Sequence, residues 1–190
     1  MSRVELPADS HVHSEWSWDT GGPRSDAAGT MVRTCRRAVE IGLPAVVFTE
    51  HFDFEDRWRA RPDDFDRAER SLLGPDGYFR APPLDVDGYF AAIEECRHRF
   101  PGLRILTGVE FGQPHLREAQ ARALVDLDRF DRINGSLHTL PIGPDRAEPV
   151  TLYGEWAAED VIHAYLRAVP EMVSGSAVFE VFTHIDYAAR

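Results

Sequence analysis

A chain of 190 residues with 43% hydrophobic and 11% aromatic side chains is long enough to bury one sizeable core, so a single domain is expected. Its net charge of −11 argues against nucleic acid as a partner, because phosphate backbones are held by clustered positive charge, and no apolar run approaches the roughly 20 residues of a membrane span. All 21 basic residues are arginine, and the absence of lysine removes Schiff-base chemistry, the P-loop lysine and a carbamylated-lysine metal bridge.

The first residues, Met1 to Pro7, have no apolar stretch behind a basic end, so the expected location is cytoplasmic. Val4 to Pro7 leads into a short strand-like opening, Ala8 to His13, and a polar loop through Gly21-Gly22. Met31, Thr34-Cys35, Ala38 and Ile41 recur at helical spacing, with Thr30 placed to cap the helix and Gly42 to end it. Pro44 to Thr49 is a continuous apolar run, the pattern of a buried parallel strand, and it ends at Glu50-His51. Phe90, Ile93, Cys96-Arg97 and Phe100 predict a second helix stopped by Pro101, and Leu103 to Val109 a strand ending at Glu110. A third helix is expected over Pro114 to Leu127, with Leu116, Ala119, Ala123, Leu124 and Leu127 on its apolar side. The strand Phe130 to Asn134 then runs into Gly135-Ser136-Leu137-His138. A fourth helix around Ala157 to Met172 precedes a strand from Ala177 to Thr183 that ends at His184. Cys35 and Cys96 fall inside helical patterns, as buried reduced thiols do.

Alternating helices and strands predict a parallel sheet with helices packed outside it, as a barrel or a doubly wound sheet. Two polar stretches, Phe52 to Asp87 and Pro141 to Glu155, are too long for simple connectors and are expected to cover a site. Arg57, Arg59 and Arg61 in the first are candidates for holding a phosphate, since their fork geometry matches its oxygens.

Of eight histidines, His11, His13, His51, His138 and His184 sit at or just after a predicted strand end, the edge where parallel α/β folds gather their chemistry. Alternation along the opening strand puts His11 and His13 on one face, so both imidazoles can reach one ion. With Glu50-His51 and Glu110 they form a mixed imidazole and carboxylate set, which suits zinc, manganese or iron and is unlike the oxygen-only shells of magnesium and calcium. The two oxygens of a carboxylate such as Glu110 can bridge two cations, an arrangement that fits phosphate ester hydrolysis. Asp186 is either a supporting carboxylate or a plain strand-end residue, whereas His98, His115 and His163, on or near helices, are expected in surface or capping roles.

Asp9-Ser10-His11-Val12-His13-Ser14, Asp19, Phe48-Thr49-Glu50-His51, Gly108-Val109-Glu110-Phe111, Gly135-Ser136-Leu137-His138 and Phe182-Thr183-His184-Ile185-Asp186 together resemble the polymerase and histidinol phosphatase (PHP) family, most closely its histidinol-phosphatase branch. The resemblance implies a distorted seven-stranded (β/α)7 barrel, two or three divalent ions, and a metal-bound hydroxide that attacks a phosphate monoester, histidinol phosphate first among the substrates. By position, His11, His13 and Glu110 resemble the ligands of one metal, and Glu110, His138 and His184 those of its bridged neighbour. His51 resembles a ligand of a third, and Asp19 stands where many members carry a histidine. Glu110 and His138 are the candidate catalytic residues.

The family's late Asp-x-His motif has no counterpart after His184. The expectation is therefore a PHP domain over residues 1–190 with a barrel incomplete at the C-terminus, prone to self-association through its open edge. A truncated or degenerate PHP module without catalysis is the main rival. An amidohydrolase or TatD-like metal hydrolase is the second, though Thr49-Glu50-His51 favours the PHP pattern. A proofreading exonuclease module fits the negative charge poorly.

Overall fold

The computed structural model describes residues 6–21, 29–65 and 69–189; Val4, Glu5 and Gly22 of the expected opening segment and loop lie outside them. In chain order the elements are β1 (Asp9–Val12), α1 (Met31–Ile41), β2 (Ala45–Phe52), β3 (Trp58–Arg59), β4 (Tyr78–Phe79), α2 (Val86–Arg99), β5 (Arg104–Gly112), α3 (Pro114–Leu124), β6 (Arg132–Ser136), β7 (Leu140–Ile142), β8 (Asp145–Ala147), α4 (Pro149–Leu152), α5 (Ala158–Gly175) and β9 (Val181–Phe182). The larger sheet takes its five strands in the order β1-β2-β5-β6-β9, and a second sheet takes four in the order β4-β3-β8-β7. The pairs β1/β2 and β6/β9 are parallel, as the helix and strand alternation requires. The described residues divide into two compact units.

The first unit comprises Met1–His51, Leu84–Val109 and Asp128–Arg132. Helix α1 starts where Thr30 accepts the N–H of Arg33 at 3.4 Å and ends at Gly42, whose φ of 81° lets its N–H reach back to the last turn. Its buried face is Met31, Cys35 and Ala38; Ile41 is exposed. Helix α2 begins at Val86, four residues before the predicted Phe90, because Asp85 caps it by accepting the N–H of Gly88. Cys35 and Cys96 are buried free thiols. Tyr89 is fully buried, and its hydroxyl donates to the carbonyl of Phe48 (2.9 Å) and accepts the N–H of Gly108 (2.8 Å). One side chain of α2 thereby ties down the backbones of β2 and β5.

The second unit comprises Phe52–Pro83, Glu110–Leu127 and Ile133–Arg190. Its core packs Tyr165, Met172 and Val161 of α5 against Leu137, Leu140, Ala147, Leu152 and Ala188. Helix α3 departs from expectation: it ends at Leu124, and Leu116 and Leu124 are exposed while Pro114 and Ala121 are buried. The buried face carries small side chains because α3 packs closely against α5. Strand β9 is also shorter than the predicted Ala177 to Thr183. The Glu180 carboxylate accepts the N–H of Ile133 at 3.2 Å, so a side chain occupies a place that a longer backbone ladder would have filled.

The stretches expected to be polar covers are instead structured. Residues 52–83 and 141–155 supply β3, β4 and β8 with a core of Trp58, Phe65, Phe79 and Ala147. Trp58 is 1% exposed and lies 4.9 Å from Phe79, centroid to centroid. The three arginines are bonded within this layer: Arg57 to Asp145 (2.7 Å), Arg59 to Glu155 (2.7 Å) and Arg61 to Asp64 (2.8 Å). These candidates for a substrate phosphate are thus each already paired with a carboxylate.

Candidate functional site

In the first unit, the pleat of β1 brings the rings of His11 and His13 to 5.1 Å, on the shared face that alternation predicts. His13 Nδ1 lies 2.9 Å from Asp19 Oδ2, and His51 Nε2 lies 3.8 Å from the same oxygen. The His13 and His51 rings are 4.6 Å apart, and Trp18 stacks on His51 at 4.4 Å. Burial works to raise the Asp19 carboxyl, but the hydrogen bond from His13 and the proximity of His51 outweigh it and hold the group below its ordinary value. On β2, Thr49 Oγ1 bonds His11 Nδ1 (2.8 Å) and so orients that ring.

Glu50 faces the other way. Its carboxylate accepts the Ser14 N–H (2.8 Å) and hydroxyl (2.6 Å), and burial lifts its pKa to about 7. It is a brace for the turn after β1, and His51 is the chemically poised member of the Glu50-His51 pair.

In the second unit, Glu110 at the end of β5 is fully buried. Its Oε1 lies 2.9 Å from His138 Nε2 and 3.2 Å from His184 Nδ1, and accepts the Ser136 hydroxyl at 2.5 Å. The other nitrogen of His138, Nδ1, is 3.0 Å from Asp53. Burial opposes a charge on His138, yet Asp53 and Glu110 on its two sides prevail and push its pKa well above the ordinary histidine value. Gly112 makes the Asp53 pair possible, because an added Cβ would run into the Asp53 carboxylate and lie 3.2 Å from His138 Nδ1. Tyr187 walls the site, with ring centroids 5.7 Å from His138 and 5.8 Å from His184, and its hydroxyl donates to Glu148 at 2.5 Å. His184 adopts φ 53°, one of only two positive-φ non-glycine residues among those described.

The structure thus groups His11, His13, Asp19 and His51 in one unit, and Glu110, His138 and His184 in the other. Asp186 is exposed, and its carbonyl caps the turn to Ala189. His98 and His163 are exposed as expected, whereas His115 is half-buried at the start of α3 and, by burial first and Arg146 second, falls to a pKa of about 4. Asp53 and Tyr187 were not singled out by sequence, and Thr49 and Ser136 stood there only as members of motifs, with no role of their own. For Asp53 a signal existed: a period of two from Thr49 through His51 reaches it.

The donor chemistry of both groups fits a divalent ion. Imidazoles lie beside carboxylates in buried surroundings, and the two carboxylates that favour a proton on His138 favour a metal cation for the same electrostatic reason. The PHP domain family matches residues 9–190. The chain belongs to that family.

PHP relatives extend the likeness. The histidinol-phosphatase of Lactococcus lactis subsp. lactis is 26% identical over 185 residues, which cover 96% of this chain and 57% of that protein. A relative from Clostridium acetobutylicum, whose name also refers to histidinol-phosphatase, is 28% identical over 107 residues, 56% of this chain and 40% of its own length. The crystal structure of the L. lactis histidinol phosphate phosphatase, complexed with zinc, L-histidinol and phosphate, matches with a TM-score of 0.64 at 24% identity, covering 96% of this chain and 59% of that one. A Listeria monocytogenes structure matches with a TM-score of 0.68 at 15% identity, covering 95% of this chain and 67% of that one. The α/β fold is therefore of the PHP type, and the chain spans roughly half the length of the curated relatives it matches. Family membership also decides against the amidohydrolase and TatD-like readings. No helix among the described residues is long and apolar enough to cross a membrane.

Proposed function

We propose that this PHP domain is a metal-dependent phosphoric monoester hydrolase whose substrate is histidinol phosphate. The observation that carries the reading is Glu110: a fully buried carboxylate in contact with His138 and His184, in a chain whose motifs at these positions resemble PHP ligand motifs. The residues that would hold the metal are His11, His13, Asp19, His51, Glu110, His138 and His184, with two or three ions of zinc, manganese or iron. Such ions, when bound, polarise a phosphoryl oxygen and make water nucleophilic near neutral pH.

The protein's own groups do the rest. Thr49 and Asp53 orient the rings of His11 and His138 through one nitrogen of each, which would leave the other nitrogen for the ion. Ser136 donates to Glu110 and orients its carboxylate, and Tyr187 keeps water from one side of His138 and His184. Turnover rests on Glu110 and His138, while Arg57, Arg59 and Arg61 stay paired with Asp145, Glu155 and Asp64.

The test is phosphate release from a panel of phosphate monoesters by the zinc-, manganese- or iron-loaded chain. Histidinol phosphate is expected to give the highest kcat/KM. Release from another ester at a higher kcat/KM would replace the substrate. Metal binding with no release from any ester would favour the alternative of a PHP module that binds without turning over, which the partial coverage of its relatives keeps in play.

A further inference from the structure

Gln113 stands out in the second unit as a buried residue with a left-handed backbone, φ 49° and ψ 53°. Glycine takes this conformation without a steric penalty, so a side chain retained there points to work that the side chain does. The residue joins β5 to α3. Its N–H donates to the carbonyl of Ser136 at 2.8 Å, and its own carbonyl accepts the N–H groups of Leu116 and Arg117, at 2.9 and 3.1 Å. These backbone bonds need no particular side chain.

The amide, however, is aimed at the segment that carries His138. Oriented by its partners, its oxygen accepts the N–H of His138 (3.0 Å), the N–H of Thr139 (2.5 Å) and the Thr139 hydroxyl (2.8 Å). From the other side Arg146 donates to the Thr139 carbonyl (2.6 Å) and hydroxyl (2.9 Å). Arg146 in turn lies 3.3 Å from Glu55, which also holds Arg117 of α3 at 2.6 Å. The His138–Thr139 segment is thus held by Gln113 at its two N–H groups and by Arg146 at the Thr139 carbonyl and hydroxyl. The His138 ring has little slack, because its two nitrogens must meet Glu110 and Asp53 at 2.9 and 3.0 Å together.

We infer that Gln113 is a positioning residue for His138: its amide fixes the backbone from which the imidazole reaches between Glu110 and Asp53. Without the amide, two buried N–H groups lose their acceptor, and the segment must shift to find others. A shift that satisfies them moves the ring away from one or both carboxylates. The consequence for metal affinity rests on the ligand role proposed above; the consequence for the ring does not.

Two variants separate this role from plain helix initiation. Gln113→Gly removes the amide and relieves the left-handed backbone, and Gln113→Met removes the amide while keeping volume and strain. In metal-free protein, the His138 ring signals in NMR spectra are expected to broaden or split in both variants, with the glycine variant melting above the methionine variant because it relieves the left-handed backbone. The zinc dissociation constant is expected to rise about 10- to 100-fold, the usual cost of losing a group that supports a ligand. Unchanged ring signals in both variants would overturn the inference. If the parent chain binds no zinc, the metal reading fails, and the ring signals still decide whether Gln113 positions His138.

Discussion

Glu110 gathers His138, His184 and Ser136 on one oxygen. Replacing it by glutamine preserves the shape and removes the charge. Glu110→Gln is expected to lower bound metal per chain and to cut turnover by at least about 100-fold, more than the loss of a supporting group costs; elemental analysis alongside phosphate release checks both. Retention of full metal and full turnover would show that Glu110 is no ligand. At this scale the ligand candidates were readable because imidazoles and carboxylates at strand ends carry an unusual residue pattern. The supporting groups were not. Serine, threonine and glutamine occur everywhere, and Ser136, Thr49 and Gln113 gain meaning only when the fold brings a histidine or glutamate to their side chains. Gly112 likewise reads as an ordinary strand glycine until Asp53 is seen where its Cβ would be.

Among the elements, α2 is tied to both β2 and β5 by the one hydroxyl of Tyr89. Tyr89→Phe leaves the packing intact but strips partners from the Phe48 carbonyl and the Gly108 N–H, both bonded to Tyr89 at under 3 Å. The expected loss of stability is about 1–3 kcal/mol, the cost of unsatisfied buried polar groups, measured by denaturant unfolding. The second sheet stands on Trp58. Trp58→Ala should cost about 3–5 kcal/mol, typical of emptying a large aromatic site; a loss below ~1 kcal/mol would mean that residues 52–83 are a loosely attached cover after all. Helices α1 and α2 and strands β2 and β5 were legible because each is long enough to show a period or an unbroken apolar run. Strands β3, β4, β7 and β8 are two or three residues each, too short for either signal, so their segments read as polar loops. The buried face of α3 was missed for a different reason. Close packing on α5 selects small residues such as Ala121, against the intuition that leucines point inward.

For the whole molecule, the order of the motifs along the chain carried more than any one of them. Five motif positions at successive strand ends identified a PHP domain from a single sequence, and the family match over residues 9–190 agrees. The central claim is that the histidines and carboxylates at these strand ends hold the divalent ions on which phosphate ester hydrolysis depends. The direct measurement strips the protein of metal with a chelator, then titrates zinc, manganese or iron back while recording bound metal per chain and phosphate release from histidinol phosphate in the same samples. Activity should vanish on stripping and return in proportion to metal bound, saturating at two or three ions per chain. Turnover that survives complete stripping, or a chain that takes up no ion, would contradict the account.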